Sequence, residues 1–313
     1  MFNMNRYYEL ISAFQKSIRW CEINDSRYFA QQLMVMGYPG AVFNRLILIA
    51  AEDVGLADPS LILYERGCSD NFENLIKRYG IKKREAVKFP KLCEVVDRAV
   101  IAAAISYKSR LLPMASFATL WDIYQNEKFS ENVTEYLNRF AVAVKNKDEK
   151  QALYYAYVTG IFLNSKDRIL TWVQRQNGRR NEDLIQKWVE EYKRYNELLV
   201  FAGSVVMLCR DLRFSHGEYS DSVSKYISTP IKKAQIPNRA YDKHTRAGKR
   251  RGRGLEHFFN EAASVRNERF SNDWKEAGRN AYFLADEEGL GKAAKLIDAI
   301  EEKRKVPFAL ETI

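Results

Sequence analysis

The chain has 313 residues, 46% hydrophobic and 29% charged, a globular balance with enough apolar material for one large or two ordinary domains. A formal net charge of +10 favours polyanionic partners, nucleic acid first among them, and four scattered cysteines, Cys21, Cys68, Cys93 and Cys209, form no Cys-x-x-Cys pair, which argues against a zinc ribbon or a disulfide framework. The start MFNMNRYYELISAF lacks the pattern of a signal peptide, and the longest apolar runs, around Ala99 to Ile105 and Leu198 to Leu208, are too short for a bilayer, so the expectation is a soluble cytoplasmic protein without a membrane partner.

Helix signals come first. Leu10, Ile11, Phe14 and Ile18 recur at three- and four-residue spacing, and Asp25 can cap a second helix through Tyr28, Phe29, Leu33 and Met36 to Gly37. Pro39 opens a third, with Val42, Phe43, Leu46, Ile47 and Ala50 on one face and Gly55 at its end, and Asp58-Pro59 supplies a cap and first-turn proline for the next. From Thr119 to about Ser215 the pattern stays helical and becomes aromatic, with Trp121, Tyr157, Trp172, Trp188, Tyr192 and Tyr195 among its rings. The spacing of Leu184, Ile185, Trp188, Val189 and Tyr192 assigns that stripe to core rather than to a platform for bases. Between Phe214 and Arg253 Ser, Gly and Pro collect before a basic run, which reads as a long loop, and helix resumes at Leu255. Strand signals are weak throughout, so the expected fold class is all-α, a multi-helix array with short connections.

Three segments carry a resemblance. They are KSIRWCEINDSRYFAQQLM (Lys16 to Met34), FNRLILIAAEDVGLADP (Phe43 to Pro59) and AVIAAAISYKSRLLPMA (Ala99 to Ala115). In this order they resemble the C-terminal helical domain of the replication-associated recombination ATPases, the RarA/MgsA group, relatives of clamp loaders. The third departs from the family pattern, reading Ser106-Tyr107-Lys108-Ser109-Arg110 where Pro-Lys-Ser-Asn is usual. The resemblance implies a domain over 1–115 that assembles as a homo-oligomer, a tetramer in the family, beside replication and recombination machinery. The family's ATPase module needs Gly-x4-Gly-Lys-Ser/Thr to hold phosphate and magnesium. No such run occurs in the 313 residues, and Gly289-Leu290-Gly291-Lys292-Ala293 has the wrong spacing, so neither ATP hydrolysis nor a cofactor is expected. Two situations fit: a reduced relative of the kind a phage or mobile element encodes, or a lineage in which a separate ATPase chain is the partner. Beyond 115 the expected regions are an aromatic helical region over 116–215, the Ser/Pro and then basic loop over 216–254, and C-terminal helices over 255–313.

The second unusual feature is DKHTRAGKRRGRGLEHFFNEA, from Asp242 to Ala262. Lys243, Arg246, Lys249, Arg250, Arg251 and Arg253 are interleaved there with Gly248, Gly252 and Gly254. Glycine lets backbone approach a ligand, and arginine offers a planar fork of donors to phosphate, so the expectation is a loop contacting DNA phosphates without sequence readout. Asp242, His244, His257 and Glu261 give an alternative, a metal site serving an enzyme of nucleic acid or nucleotide phosphates, because His257 and Glu261 share a helix face and the other two can approach from the loop. A third reading is a purely structural oligomer whose basic loop meets an acidic neighbour. The pair Glu52-Asp53 is not read as a catalytic acid and base, since adjacent helical positions diverge by about 100 degrees. Cys209 and His216 are too loosely spaced to indicate a dyad.

Overall fold

The structure is a computed structural model that describes residues 4–126, 129, 132–164, 166–175, 182–195, 198–210, 219–270 and 272–305. In chain order the helices are α1 (Met4–Arg19), α2 (Ile23–Val35), α3 (Pro39–Ile49), α4 (Leu61–Tyr79), α5 (Pro90–Ile105), α6 (Leu111–Asn126), α7 (Val133–Lys145) and α8 (Glu149–Tyr157). There follow α9 (Lys166–Gln174), α10 (Glu182–Tyr195), α11 (Leu198–Cys209), α12 (Tyr219–Ile227), α13 (Arg246–Arg250), α14 (Leu255–His257), α15 (Asn272–Glu287) and α16 (Ala293–Lys305). The fold is all-α. Among the described residues the one β pairing is an isolated bridge between Lys108 and Glu268.

The chain divides into two compact units, each discontinuous in sequence: Met1–Arg110 with Phe214–Phe270, and Leu111–Arg213 with Ser271–Ile313. The C-terminal region expected over 255–313 is therefore shared. Its first part belongs with the N-terminal helices because Phe258 and Ala262 are buried and Arg19 Nη1 donates to the Ala262 carbonyl at 2.6 Å. The expected loop over 216–254 is likewise more regular than its composition suggests. Tyr219 and Val223, four apart and both buried, hold α12 despite its serines, and α13 occupies the middle of the basic run.

In the first unit α1 to α5 bury Leu10, Phe14, Phe29, Leu33, Leu46 and Phe72. Each such side chain contributes roughly 1.5–3 kcal/mol of transfer free energy. The connections follow from local chemistry. Gly37 adopts φ 86° between α2 and α3, Pro39 occupies the first turn of α3, and left-handed Gly80 ends α4 after Lys77 and Arg78, which face the negative end of the helix dipole. After α3 the backbone widens into a π-helical turn, Ala50–Val54, closed by Gly55 at φ 50°. This is the Glu-Asp-Val-Gly turn seen in the sequence.

The second unit is built on two tight contacts. Gly278 of α15 lies so close to α6 that a Cβ there would stand 2.7 Å from the Met114 Cα, and beside it Phe117 and Tyr282 stack with centroids 3.6 Å apart. Gly203 admits the Trp188 ring against α11, whose polar hydroxyl, on Ser204, is turned back onto the Val200 carbonyl at 3.0 Å. Trp188, Tyr157 and Phe201 are buried, so these aromatics form core. No helix among the described residues is long and apolar enough to cross a membrane.

Candidate nucleic-acid interface

Helix α1 presents Ser12, Gln15, Lys16 and Arg19 at three- and four-residue spacing, a polar stripe of which Lys16 and Arg19 are buried. Arg19, in its last turn, grips Asp53 through Nε to Oδ1 at 2.7 Å and Nη2 to Oδ2 at 3.1 Å. Asp53 is fully buried in the π-helical turn, and Arg110 Nη1 reaches both Asp53 Oδ1 at 2.9 Å and Glu52 Oε1 at 2.8 Å. Burial alone pushes the Asp53 carboxyl up, but Arg19 and Arg110 overcome it and hold the group below its ordinary value. Arg110 is placed by its own segment: the Ser109 amide donates to the Asp53 carbonyl at 2.9 Å, and Lys108 Nζ caps the end of α5 on the Ala103 carbonyl at 2.9 Å. The three segments that carry the resemblance thus meet in one buried network. Glu52 and Asp53 act there as partners for arginine.

The network also orients a cation that faces solvent. Gln15 Nε2 donates to Glu52 Oε2 and Asp53 Oδ2, both at 3.0 Å, which leaves Gln15 Oε1 to accept from Arg45 Nη1 at 3.1 Å. A neutral oxygen fixes the direction of the Arg45 fork without cancelling its charge. Neither Gln15 nor Arg45 was among the expected site residues. The spacing of Ser12, Gln15, Lys16 and Arg19 is a sequence signal that went unread, and it does not say what the stripe faces.

The basic segment docks on this floor through Asp242. Its carboxylate meets Lys16 Nζ at 2.8 Å, and Lys16 also donates to Ser12 Oγ at 2.7 Å and to the Ala240 carbonyl at 2.8 Å. Burial pushes the Lys16 ammonium down to about 8 against the pull of Asp242, whereas Asp242, raised by burial, is held below its ordinary range chiefly by Lys16. Thr245 caps α13, its Oγ1 accepting from the Gly248 amide at 2.9 Å. Gly248 is required, since a Cβ would stand 1.9 Å from the Asp242 carbonyl oxygen.

The six expected phosphate-binding cations then divide. Arg253 donates to the carbonyls of Asn238 and Tyr241, and Arg251 donates to Asn238 Oδ1 at 2.5 Å and lies 4.6 Å from the Tyr241 ring centroid, so both hold the loop to itself. Lys243 lies over Phe258, its Nζ 5.7 Å from the ring centroid. Arg246 is exposed and, like Arg45, is directed by an amide oxygen, Asn5 Oδ1 at 3.1 Å. Lys249 and Arg250 are exposed, and their side chains have no hydrogen-bond or ion-pair partner among the described residues. Arg45, Arg246, Lys249 and Arg250 line a cavity of about 680 Å³ floored by Gln15, Lys16 and Arg19, with Tyr8 and Phe258 in its wall. Glu9, Glu52 and Asp242 also border it. Each is already near a cation: Glu9 lies 3.8 Å from Arg6, Glu52 meets Arg110 and Asp242 meets Lys16.

The four residues of the metal alternative do not converge on one point, although neither ring nitrogen of the half-buried His257 has a hydrogen-bond partner among the described residues. Asp242 pairs with Lys16, the His244 ring packs edge-on against Phe258 with centroids 5.1 Å apart, and His257 Nε2 stands 3.3 Å from Glu261 Oε2 one helical turn away. Among the described residues no group of three or more His, Cys, Asp or Glu is placed to hold a metal ion. His216, the loose partner of Cys209, lies outside the described residues, as do Ser215 and Gly217.

Comparison with known proteins gives partial likenesses. The chain is 32% identical over 117 residues, 37% of its length, to the replication-associated recombination protein A of Bacillus subtilis, and this match covers 25% of that protein. Over 59 residues, 18% of this chain and 13% of the relative, it is 32% identical to an uncharacterised AAA domain-containing protein of Mycobacterium tuberculosis. A third match, to an uncharacterised protein of Thermotoga maritima, is 37% identical over 62 residues, 20% of this chain and 10% of that one. The chain therefore spans a quarter or less of the length of these relatives. No family model and no solved structure matches it. What the comparisons establish is a distant, partial relation to AAA-type and replication-associated proteins, joined to an all-α fold.

Proposed function

We propose that this protein is a non-catalytic, DNA-associated oligomerising or adaptor factor of replication or recombination, and that it meets the phosphate backbone through Arg45, Arg246, Lys249 and Arg250. The observation that carries this reading is the cavity lining, where four exposed or half-exposed cations lack a carboxylate partner among the described residues and two of them are aimed by neutral amide oxygens. Cations already neutralised by carboxylates gain little from a phosphate; these four release counterions on binding. The Bacillus subtilis relative, named for replication-associated recombination, supplies the process. Assembly as a homo-oligomer, a tetramer in the resembled group, and contact with a replisome protein or a separate ATPase belong to the same proposal.

The test is binding of fluorescent single-stranded, duplex and forked DNA across a salt series. The variant is Lys249→Ala/Arg250→Ala, which leaves Arg251 and Arg253 to hold the loop. For duplex DNA each neutralised phosphate contributes a slope of about −0.9 in log K against log salt, so the double variant should be shallower by about 1 to 2. No salt-dependent binding by the unaltered protein refutes the DNA reading, and mass measurement at the same concentrations tests assembly.

A further inference from the structure

The charges lining the recess select among phosphates, and the selection rests on the DNA reading above. A strand passing along a surface presents monoanionic diesters at every step. Threaded through this recess, successive diesters would pass Glu9 and Glu52 as well as the cations, since both carboxylates border it. A single terminal phosphate has no such requirement. It carries a charge of about −1.5 to −2 at neutral pH, has three strong acceptor oxygens and needs only one cluster of donors. The donors are present: Lys249 and Arg250 have no partner among the described residues, and Arg45 and Arg246 are held by Gln15 and Asn5 without loss of charge.

The cavity has nucleotide dimensions. At about 680 Å³ it lies within the range of roughly 300–1,000 Å³ typical of small-ligand sites. Its wall carries an exposed aromatic ring: Tyr8 is 56% exposed and meets Tyr7 edge to face with centroids 5.3 Å apart. An exposed tyrosine beside a cation cluster is a stacking surface for an unpaired base, and such stacking is sequence-tolerant because every base has a π-face.

We propose that this cavity binds a phosphate monoester of nucleotide size, taken from the phosphorylated end of a nucleic-acid strand, with the terminal base against Tyr8 and the phosphate among Arg45, Arg246, Lys249 and Arg250. Gln15 is a positioning residue: it links Glu52 and Asp53 to Arg45. A free mononucleotide shares the chemistry, and the test separates it from a strand end.

The full chain is titrated with one short single-stranded oligonucleotide in three forms, bearing a 5′ phosphate, a 3′ phosphate or only hydroxyl ends, with and without deoxyadenosine monophosphate or inorganic phosphate as competitor. The expected result is that one phosphorylated form binds about tenfold or more tighter than the hydroxyl form, the size of one extra charge-assisted hydrogen bond. That preference should vanish in Lys249→Ala/Arg250→Ala, while Tyr8→Ala, an exposed substitution, weakens all three forms in proportion. Equal affinity for the three forms, with salt-dependent binding intact, overturns the end-binding proposal and leaves the backbone reading standing. Binding of the mononucleotide but of no oligonucleotide supports the monoester site and overturns the strand as its source, together with the DNA reading. Binding of none of these overturns both.

Discussion

Asp53→Asn is the most demanding test of the network beneath the cavity. The carboxylate accepts from Arg19 Nε at 2.7 Å, Arg19 Nη2 at 3.1 Å, Arg110 Nη1 at 2.9 Å and Gln15 Nε2 at 3.0 Å, and it is wholly shielded from solvent. An amide preserves the shape, removes the charge and turns an NH2 group toward a guanidinium donor. Arg19 and Arg110, with side chains 3% and 8% exposed, would then share Glu52, whose side chain is 23% exposed. Breaking a buried ion pair from one side costs about 3–5 kcal/mol, which for a unit of this size lowers Tm by about 6–20 °C. Calorimetry of the full chain at neutral pH measures it, with Glu52→Gln as the milder comparison because water reaches that carboxylate. Acidification gives the same sign by another route. The folded pKa of Asp53 lies below its ordinary value, so its contribution is present above the ordinary carboxyl range and is lost as pH falls through the folded pKa. The Asn variant should therefore lose less on acidification than the parent. An Asn variant melting within about 2 °C of the parent, well short of the expected fall, would refute the pairing itself.

Two further substitutions probe other parts of the fold. Glu65 is fully buried on α4 with neither oxygen hydrogen-bonded among the described residues, and burial raises its pKa well above the ordinary value. Its stabilising contribution is then complete below the ordinary carboxyl range and is lost as pH rises through the folded pKa, so Glu65→Gln should gain Tm relative to the parent as pH increases; parallel Tm profiles for the two proteins would count against a buried neutral acid. In the second unit Gly278→Ala trades a helix-propensity gain of about 1 kcal/mol for a Cβ 2.7 Å from the Met114 Cα, and overpacking should win by about 1–3 kcal/mol. A more stable variant in chemical denaturation would mean that α6 and α15 stand further apart than described.

Helices α1 to α3 were legible because their apolar periodicity, Gly37 and Pro39 are local signals that tertiary packing does not override. Helix α12 was hidden because Ser220, Ser222 and Ser224 carry a turn composition while Tyr219 and Val223, the two residues that bury, are only two. The discontinuity of the units was not legible at all, since nothing local tells Phe258 that its neighbours are Lys243 and Arg110. The site was read as a run of cations, and charge density along the chain could not say which of them would be consumed. Arg251 and Arg253 look identical to Arg250 in sequence. What separates them is Asn238 and Tyr241, whose carbonyl and side-chain oxygens lie where Arg251 and Arg253 reach them and Arg250 does not.

The segments that resemble the recombination ATPases and the cations that face the cavity are largely different parts of the chain, and this bears on what the resemblance can mean. The former supply Arg19, Glu52, Asp53 and Arg110, a floor whose charges balance internally and offer no net attraction to a polyanion. The latter arrive from residues 242–253, outside the resemblance, and are fastened by Asp242 to Lys16, itself part of it. Arg45 alone belongs to both. A shared floor with a separate rim is what is expected when a scaffold persists and its ligand is set by the segment laid across it. Replacing 246–250 by a neutral helix of equal length, with Thr245 and Gly248 retained, should leave Tm within a few degrees of the parent while abolishing phosphate binding. Loss of folding in that variant would show that the rim is part of the scaffold and that the two cannot be separated.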